Sequence, residues 1–383
     1  MGSIPATSLP AAAGLADPLR VMVVDDSAVI RGLLARTLDA DPDIKVVASV
    51  GNGQIALNTI AREDIDVVIL DIEMPVMDGL TALPQLIKAA PTVKIIMAST
   101  LTRRNAEVSL KALSAGASDY IPKPTSTREI GQADDFKREL VGKVKALGSA
   151  KRAAEGPRRP RPAGERVRAP LPAKPAVPDA PVVLRKEKIV PPRVLAIGSS
   201  TGGPQALFKV LGAIDRSVTL PILITQHMPP TFTTILAEHI ATISKRPCAE
   251  AVDKEPVKEG HIYVAPGNFH MTVEPSATGT IIRLNQNPPE NFCRPAVDPM
   301  LRSIAKVYGP NVLTVILTGM GNDGFKGSQV ITASGGAVIA QDEATSVVWG
   351  MPRAVAVGGL CSAVLPVMEI AGFISGVVSG RRT

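Results

Sequence analysis

Short apolar runs alternate with amphipathic segments in two blocks of the chain, and this alternation does most to narrow the possible folds. In the first block the apolar runs are RVMVVDD, KVVASV, DVVILDIE, KIIMAST and DYIPKP, and segments with helical spacing separate them. Strands that alternate with helices form a parallel sheet that helices cover on both faces. The first block is therefore expected to be a doubly wound α/β domain.

The second block repeats this pattern less regularly. Its expected strands are RVLAIG, PILITQ, NVLTVILTG and GAVIAQ, and HIYVAPG and TIIRLNQ lie between the second and third of these. We expect the latter two stretches to be short strands of a small antiparallel insert. The fold class predicted for the chain is two doubly wound parallel-sheet domains, of which the second is the larger.

A basic, proline-rich segment separates the blocks. Residues 137–193 carry 16 Lys/Arg against 5 Asp/Glu, and they include EGPRRPRPAGERVRAPLPAKPAVPDAP. Such a composition buries too little apolar surface to offset the entropy of ordering, which favours a solvated spacer over a surface for acidic partners or nucleic acid. The predicted organisation is a disordered leader over 1–19, a first domain over 20–137, a linker over 138–189 and a second domain over 190–383.

Composition also bears on the compartment. The three cysteines are scattered and form no C-x-x-C pair, which suits a reducing cytosol better than a disulfide framework. No apolar run reaches the roughly 18 residues of a membrane span, and the N-terminus lacks the basic and apolar regions of a signal peptide. The expected location is the cytoplasm, without membrane insertion.

Polar residues mark the ends of the strands in the first block. Asp25 and Asp26 close the first strand and Asp71 the third, while Ser99 ends the fourth and Lys123 follows the fifth. Ligands of open α/β sheets bind at the carboxyl ends of the strands. Three carboxylates at one edge would repel one another without a hard cation, and oxygen ligands of this kind suit Mg²⁺. The lysine and the hydroxyl would then receive the oxygens of a phosphoryl group.

Over its full length, this block resembles a response-regulator receiver domain with a flavodoxin-like fold. The resemblance implies that Asp71 accepts a phosphoryl group from a histidine kinase and binds Mg²⁺ together with Asp25, Asp26 and the backbone carbonyl of Glu73. It further implies that Ser99 provides the switch hydroxyl, that Lys123 is the partner of the phosphate and that Tyr120 is the aromatic switch residue.

The stretch GSSTGGPQAL follows the first strand of the second block. Residues 198–202 fit G-x-S-x-G with Ser200 at the centre. In a nucleophile elbow, such glycines allow a tight turn that exposes the serine at a helix N-terminus. A glycine-serine loop that binds phosphate or merely turns is the alternative, and the motif alone does not decide between them.

A serine nucleophile needs a base and a group that orients the base. Of the four histidines, only His227 follows a predicted parallel strand, since it comes directly after PILITQ. Asp323 follows NVLTVILTG in the same way. Ser200, His227 and Asp323 would therefore share one edge of the sheet. Their order along the chain differs from the Ser–Asp–His order of α/β-hydrolases, which excludes that fold.

Two other functions compete with this interpretation. Residues 319–324 spell G-x-G-x-x-G after a strand, and Glu343 follows at the spacing typical of ribose recognition, so a dinucleotide site is a rival. It leaves Ser200 and His227 without a role. A DNA-binding regulator is suggested by the basic segment, but no helix-turn-helix pattern follows the first domain.

The motifs AIGSSTGGPQAL, LITQHMPP, IYVAPG, RPAVD, ILTGMGNDG and GMPRA resemble the chemotaxis methylesterase family, CheB. The resemblance implies Ser200 as nucleophile, His227 as base and Asp323 as the residue that orients it. It also implies that the backbone N–H groups of Thr201 and Met320 bind the oxyanion. No cofactor is implied for this chemistry, and no role is assigned to two further family motifs, Asp298 and 351–353.

The implied reaction is hydrolysis of glutamate methyl esters on chemoreceptors, with release of methanol, and deamidation of glutamine at the same sites. The receiver would switch the esterase on when it is phosphorylated, which would control adaptation in chemotaxis. The implied partners are methylated chemoreceptors and a histidine kinase, with no nucleic acid. A bacterial or archaeal cytoplasmic protein recruited to receptor arrays is expected.

Overall fold

The computed structural model describes residues 17–100, 102–123, 133–156 and 181–380. Most of the predicted leader and most of the proline-rich segment lie outside these ranges. The first sheet contains β1 (Leu19–Val24), β2 (Ile44–Val50), β3 (Val67–Asp71), β4 (Lys94–Ser99) and β5 (Asp119–Pro122). Its strands are all parallel and lie in the order β2-β1-β3-β4-β5.

Five helices belong to this domain: α1 (Ala28–Asp39), α2 (Gly53–Ile60), α3 (Gly79–Ala89), α4 (Arg103–Ser114) and α5 (Ala133–Glu155). The first four begin where a short polar side chain accepts a backbone N–H from the first turn, as preferred N-cap residues do. These caps are Ser27, Asn52, Asp78 and Thr102. The five strands confirm the alternation read from the sequence.

Helix α5 extends well beyond residue 137, where we placed the end of the first domain. Leu140, Val144 and Leu147 repeat at helical spacing and are buried in the core of the first domain. Lys143 and Lys151 are also buried, each in ion pairs with carboxylates. The basic residues of 138–155 therefore include packed residues of a helix, and counting charge alone conceals this helical repeat.

The second domain contains nine described strands and six described helices. The strands are β6 (Val194–Ser199), β7 (Ile222–Gln226), β8 (Cys248–Glu250), β9 (Ile262–Val264), β10 (His270–Ser276), β11 (Gly279–Asn285), β12 (Val312–Ile316), β13 (Ala337–Gln341) and β14 (Ala363–Leu365). The helices are α6 (Gly203–Ala213), α7 (Phe232–Ser244), α8 (Val297–Tyr308), α9 (Phe325–Ala333), α10 (Met351–Val357) and α11 (Val367–Val378).

Seven of these strands form one parallel sheet in the order β14-β13-β12-β6-β7-β9-β8. The small antiparallel sheet is the hairpin β10–β11. The expectation that HIYVAPG belongs to an antiparallel insert is wrong, because its strand β9 pairs parallel with β7. All three residues of β9 are buried, as in a strand that is covered on both faces. A run of three residues is too short for its periodicity to show this burial in the sequence.

Alternate residues of β6 point to opposite faces of the large sheet. Leu195 and Ile197 join the core formed with α6, α7 and α11, while Val194 and Ala196 join the core formed with α8 and α10. This period of two places helices on both faces and confirms the doubly wound architecture.

The two domains pack directly on each other. Helix α4 of the first domain contacts α6 and α7 of the second. The Gln205 amide donates hydrogen bonds to the carbonyls of Leu113 and Ala117, at 2.7 and 2.5 Å. Arg103 pairs with Glu238 at 2.8 Å. Within the described parts of the chain, no helix is long and apolar enough to cross a membrane.

Candidate active site

Three carboxylates meet at the carboxyl edge of the first sheet. One oxygen each of Asp25, Asp26 and Asp71 lies within 4.8 Å of the others. Strands β1 and β3 are neighbours where the strand order reverses, and ligands bind at such a point in open α/β sheets. An all-oxygen set of this size, open to water at the exposed Asp26, fits Mg²⁺, which keeps several water ligands.

Lys123 balances part of this negative charge. Its Nζ lies 2.5 Å from Asp25 Oδ2 and 2.6 Å from Asp71 Oδ1. Burial raises the pKa of Asp71, Lys123 lowers it and the charge of Asp25 raises it, with a net upward shift. Two buried carboxylates held against one lysine would gain from a divalent cation, which supports the cation site chemically.

Of the remaining predicted receiver residues, Ser99 lies at this edge of the sheet and Tyr120 lies against the second domain. The Asp71 carbonyl leaves no room for a side chain at Gly79, where a Cβ would lie 2.0 Å from that oxygen. Ser99 is buried at the end of β4, with its hydroxyl 3.0 Å from that of Ser109. Tyr120 points away from the cluster and stacks on Phe232 of the second domain, with centroids 4.4 Å apart.

In the second domain, Ser200 sits in the turn between β6 and α6. Its N–H donates to the Thr318 carbonyl at 3.1 Å, and its carbonyl accepts the Gly203 N–H at 2.8 Å and the Gln226 amide at 2.9 Å. These bonds fix the serine at the N-terminus of α6. Gly202 caps the helix at a φ of 75°, which favours glycine. The turn thus places a half-buried Ser200 two residues before the cap of α6.

Gly319 lies directly against this serine. A Cβ on Gly319 would stand 2.9 Å from Ser200 Cβ, 3.0 Å from Ser200 N and 2.4 Å from Met351 Sδ. The Gly319 carbonyl accepts N–H groups from Gly350 and Met351 at 3.1 and 2.8 Å. The first glycine of G-x-G-x-x-G therefore serves close packing around Ser200.

His227 and Asp323 form a short contact. His227 Nε2 lies 2.7 Å from Asp323 Oδ2, and both side chains are largely buried. Burial would raise the pKa of Asp323, but hydrogen bonds from His227 and the backbone hold it below its ordinary value. An ionised carboxylate only accepts hydrogen bonds, so Nε2 carries the proton and Nδ1 is the basic nitrogen.

The other hydrogen bonds of Asp323 come from the backbone and from an amide. Val297 N donates at 2.6 Å, Asp298 N at 3.1 Å and Asn291 Nδ2 at 2.9 Å. Gly324 N also donates, at 2.9 Å. Val297 and Asp298 belong to the first turn of α8, so Asp323 also satisfies N–H groups of that helix end. This network fixes the carboxylate that orients His227.

The basic nitrogen of His227 faces a thiol. Cys293 Sγ lies 3.4 Å from Nδ1, and both residues line one cleft with Ser200. Within the described residues, no hydrogen bond joins the Ser200 hydroxyl to His227. The structure therefore brings His227 and Asp323 into contact and places Ser200 in the same cleft. Burial alone would lower the pKa of His227, but Cys293 and Asp323 outweigh it and raise the pKa well above its ordinary value.

Sequence analysis gave no role to several residues that shape this site. Asp298 accepts the Gly327 N–H at 2.6 Å, and Asn291 bridges it to Asp323. Met351 packs against Gly319 as described above. Cys293 and Asn291 were missed, although Cys293 directly precedes the RPAVD motif and offered that signal.

The cleft, of about 490 Å³, lies between the two domains. Strand β5 and helix α5 of the first domain line one side, while Ser200, Thr201, His227 and Met320 line the other. The Thr201 hydroxyl donates to Asp119 of β5 at 2.8 Å, and Lys143 of α5 pairs with Asp119 at 3.2 Å. The first domain thus covers the candidate site.

Comparison with known proteins gives matches to both domains. The family profile described as CheB methylesterase matches residues 195–374, and that of the response regulator receiver domain matches residues 21–133. The chain is 60% identical over 374 residues to "Protein-glutamate methylesterase/protein-glutamine glutaminase 1" of Paramagnetospirillum magneticum, which covers 95% of this chain and 97% of that protein. A protein of Rhodospirillum centenum with the same enzyme name, of its group 2 operon, is 58% identical, covering 98% of each.

Among solved structures, the CheB methylesterase catalytic domain of Thermotoga maritima is 40% identical, with a TM-score of 0.48, and covers 49% of this chain and 100% of that one. The identity to full-length relatives, together with the two matched profiles in this order, places both domains in one family. The chain belongs to the CheB family, in which a response-regulator receiver domain precedes a methylesterase domain.

Proposed function

We propose that this chain hydrolyses glutamate methyl esters on chemoreceptors under phosphorylation control, with Ser200 as nucleophile, His227 as base and Asp323 as the residue that orients the base. The contact of 2.7 Å between His227 and Asp323, in the cleft that Ser200 lines, carries this proposal. The enzyme names of the relatives support glutamate methyl esters of proteins as the substrate class and support deamidation of glutamine as a second activity.

The reaction is acyl transfer to water. Ser200 Oγ attacks the ester carbonyl, His227 Nδ1 takes the serine proton, and the imidazolium then protonates the departing methanol. A water molecule activated by the same nitrogen releases glutamate. Asp323 remains ionised throughout and stabilises the imidazolium from the Nε2 side. With a glutamine side chain, the same steps release ammonia.

The oxyanion is bound by backbone N–H groups beside the serine. Thr201 follows Ser200 in the turn before Gly202, the cap of α6, and the nearby helix N-terminus favours negative charge. Met320 approaches from the loop after β12 and lines the same cleft. We assign the N–H groups of these two residues to the oxyanion that forms on the substrate carbonyl.

The receiver controls access to this site. In the closed arrangement, Asp119 holds the Thr201 side chain and Tyr120 stacks on Phe232, so strand β5 connects the phosphorylation site to the cleft. Asp71 accepts the phosphoryl group, with Lys123 and Ser99 as partners of its oxygens. Bound Mg²⁺, held by Asp25, Asp26 and Asp71, supplies positive charge to the phosphoryl oxygens. Phosphorylation shifts the population towards an open form.

Methanol release from methylated receptor membranes tests this proposal. We expect release by the full-length chain to rise when a small-molecule phosphodonor and Mg²⁺ are added, because the phosphorylated receiver uncovers the cleft. The variant Asp71→Ala should keep basal release and lose the response to the donor. A histidine kinase and receptor arrays are the proposed cellular partners.

Each other outcome of this experiment has a defined meaning. Release that ignores the donor would retain the esterase and contradict receiver control. No release under either condition, from protein that melts cooperatively, would contradict the substrate assignment.

A weaker domain interface should raise basal activity. Gln205→Ala removes the two hydrogen bonds to Leu113 and Ala117, and a loss of about 1 kcal/mol would shift the open population about fivefold. We expect basal methanol release to rise by that factor and the response to the phosphodonor to shrink. Lys209→Ala, at an exposed position of the same helix, is the matched control and should behave like the wild type.

The dependence of hydrolysis on pH should reflect His227. The neutral imidazole is the active form, so a raised pKa means that activity is lost on acidification at a pH above the ordinary value of about 6.5. The profile of kcat/KM against pH measures this midpoint. Cys293→Ala removes one cause of the upward shift and should move the midpoint to lower pH, whereas an unchanged midpoint would contradict Cys293 as a cause of that shift.

A further inference from the structure

The loop that carries Cys293 fixes its thiol against His227. Cys293 and Glu290 exchange backbone hydrogen bonds at 2.9 and 3.2 Å, and Arg302 holds the Glu290 carboxylate at 2.9 Å. Sγ is thereby kept 3.4 Å from Nδ1, at a half-buried position in the cleft. A thiol in this position has a proton acceptor in direct contact.

The other two cysteines lie in different surroundings. Burial raises the pKa of Cys248 and of Cys361 to about 12, so both stay protonated at neutral pH. The thiolate is the reactive form of cysteine, and a neighbouring histidine promotes it. Among the three cysteines of the chain, Cys293 is therefore the one placed for oxidation.

We propose that Cys293 is an oxidation site through which a hydroperoxide, such as hydrogen peroxide, reversibly switches off hydrolysis at Ser200. This inference rests on the proposed function for its effect on activity, but the modification itself depends only on the contact between Cys293 and His227.

The modification is a two-electron oxidation of sulfur. His227 Nδ1 accepts the thiol proton, and the thiolate attacks one oxygen of hydrogen peroxide, so that an S–O bond forms and the O–O bond breaks. The departing hydroxide takes the proton from the imidazolium and leaves as water. The thiol becomes a sulfenic acid, the peroxide is reduced to water, and His227 returns to its neutral form.

The sulfenic acid would block the base. Nε2 is committed to Asp323, so Nδ1 is the one ring nitrogen left to accept the proton of Ser200. A thiol is a weak hydrogen-bond donor, whereas a sulfenic hydroxyl on the same sulfur is a stronger donor to Nδ1. Loss of general-base catalysis costs about 10²-fold or more in rate.

Peroxide treatment of the full-length chain tests the proposal. The protein is exposed to hydrogen peroxide, quenched with catalase, and divided between a methanol-release assay and dimedone labelling read by peptide mass. We expect dimedone on Cys293 and not on Cys248 or Cys361, and about a 10²-fold loss of activity that dithiothreitol reverses when dimedone is omitted.

Variants locate the effect, each compared with its own untreated sample. Cys293→Ala should retain its untreated rate after peroxide, whereas Cys248→Ser and Cys361→Ser should lose activity like the wild type. Ser200→Ala should be labelled at Cys293 like the wild type, because the oxidation does not use the serine.

Two results would overturn the proposal: no dimedone on Cys293 in treated protein, or equal loss of activity in Cys293→Ala and the wild type. The second result would mean that oxidation of a residue other than Cys293 causes the loss of activity. The proposed function is tested separately. If untreated wild-type protein releases no methanol, the esterase assignment is contradicted, whether or not Cys293 is labelled.

Discussion

Ser200→Ala is expected to lower methanol release by about 10⁴-fold or more, because it removes the atom that forms the acyl intermediate. Ser200 lies in a turn held by its own backbone bonds to Thr318, Gly203 and Gln226, none of which uses the hydroxyl. The fold should therefore remain intact. Initial rates with phosphodonor present, for wild type and variant at equal concentration, measure the effect.

The receiver supplies an internal control for this variant. Phosphorylation at Asp71 does not involve Ser200, so phosphoryl uptake from a small-molecule donor should match that of the wild type. The second domain also offers a rival nucleophile, since Cys293 contacts the basic nitrogen directly. Substantial hydrolysis by Ser200→Ala that disappears in Cys293→Ala would transfer the nucleophile role to the cysteine.

Residues at the ends of strands were the part of the site that sequence predicted best. Because parallel strands bring their carboxyl ends to one edge, Asp25 and Asp71 could be expected to meet, and the structure confirms their proximity. The same reasoning predicted that His227 and Asp323 would lie together, and they are 2.7 Å apart. Topology converts residues far apart in sequence into neighbours.

Features that depend on tertiary packing were not predictable in this way. Cys293 lies in an irregular loop, so no periodicity indicates that its thiol reaches His227. The strand β9 is too short for its partner to be inferred. The full length of helix α5 was not predicted, because Lys143 and Lys151 suggest a solvated segment. In the structure both lysines are buried against carboxylates. Each depends on a distant partner that the local sequence does not reveal.

Asp323→Asn should lower kcat by about 10⁴-fold, because a neutral amide no longer fixes the proton of His227 on Nε2. The substitution also affects stability, because hydrogen-bond donors contact both carboxylate oxygens of Asp323. Oδ2 accepts from His227 and from Val297 N, and Oδ1 accepts from Asn291, Asp298 N and Gly324 N. Either orientation of the new amide sets its NH₂ against donors, so we expect a loss of about 1–3 kcal/mol in the free energy of unfolding.

Asp298→Asn is the matched control that separates catalysis from stability. This buried carboxylate accepts from Gly327 N and Asn291, and within the described residues no hydrogen bond joins it to His227. Burial and the charge of Asp323 raise the pKa of Asp298, so removing its charge perturbs the site less than removing that of Asp323. We expect a comparable loss of stability in urea unfolding with a much smaller loss of kcat. If both variants lost activity equally, Asp323 would be a structural residue of the network, and its charge would not be what orients the base.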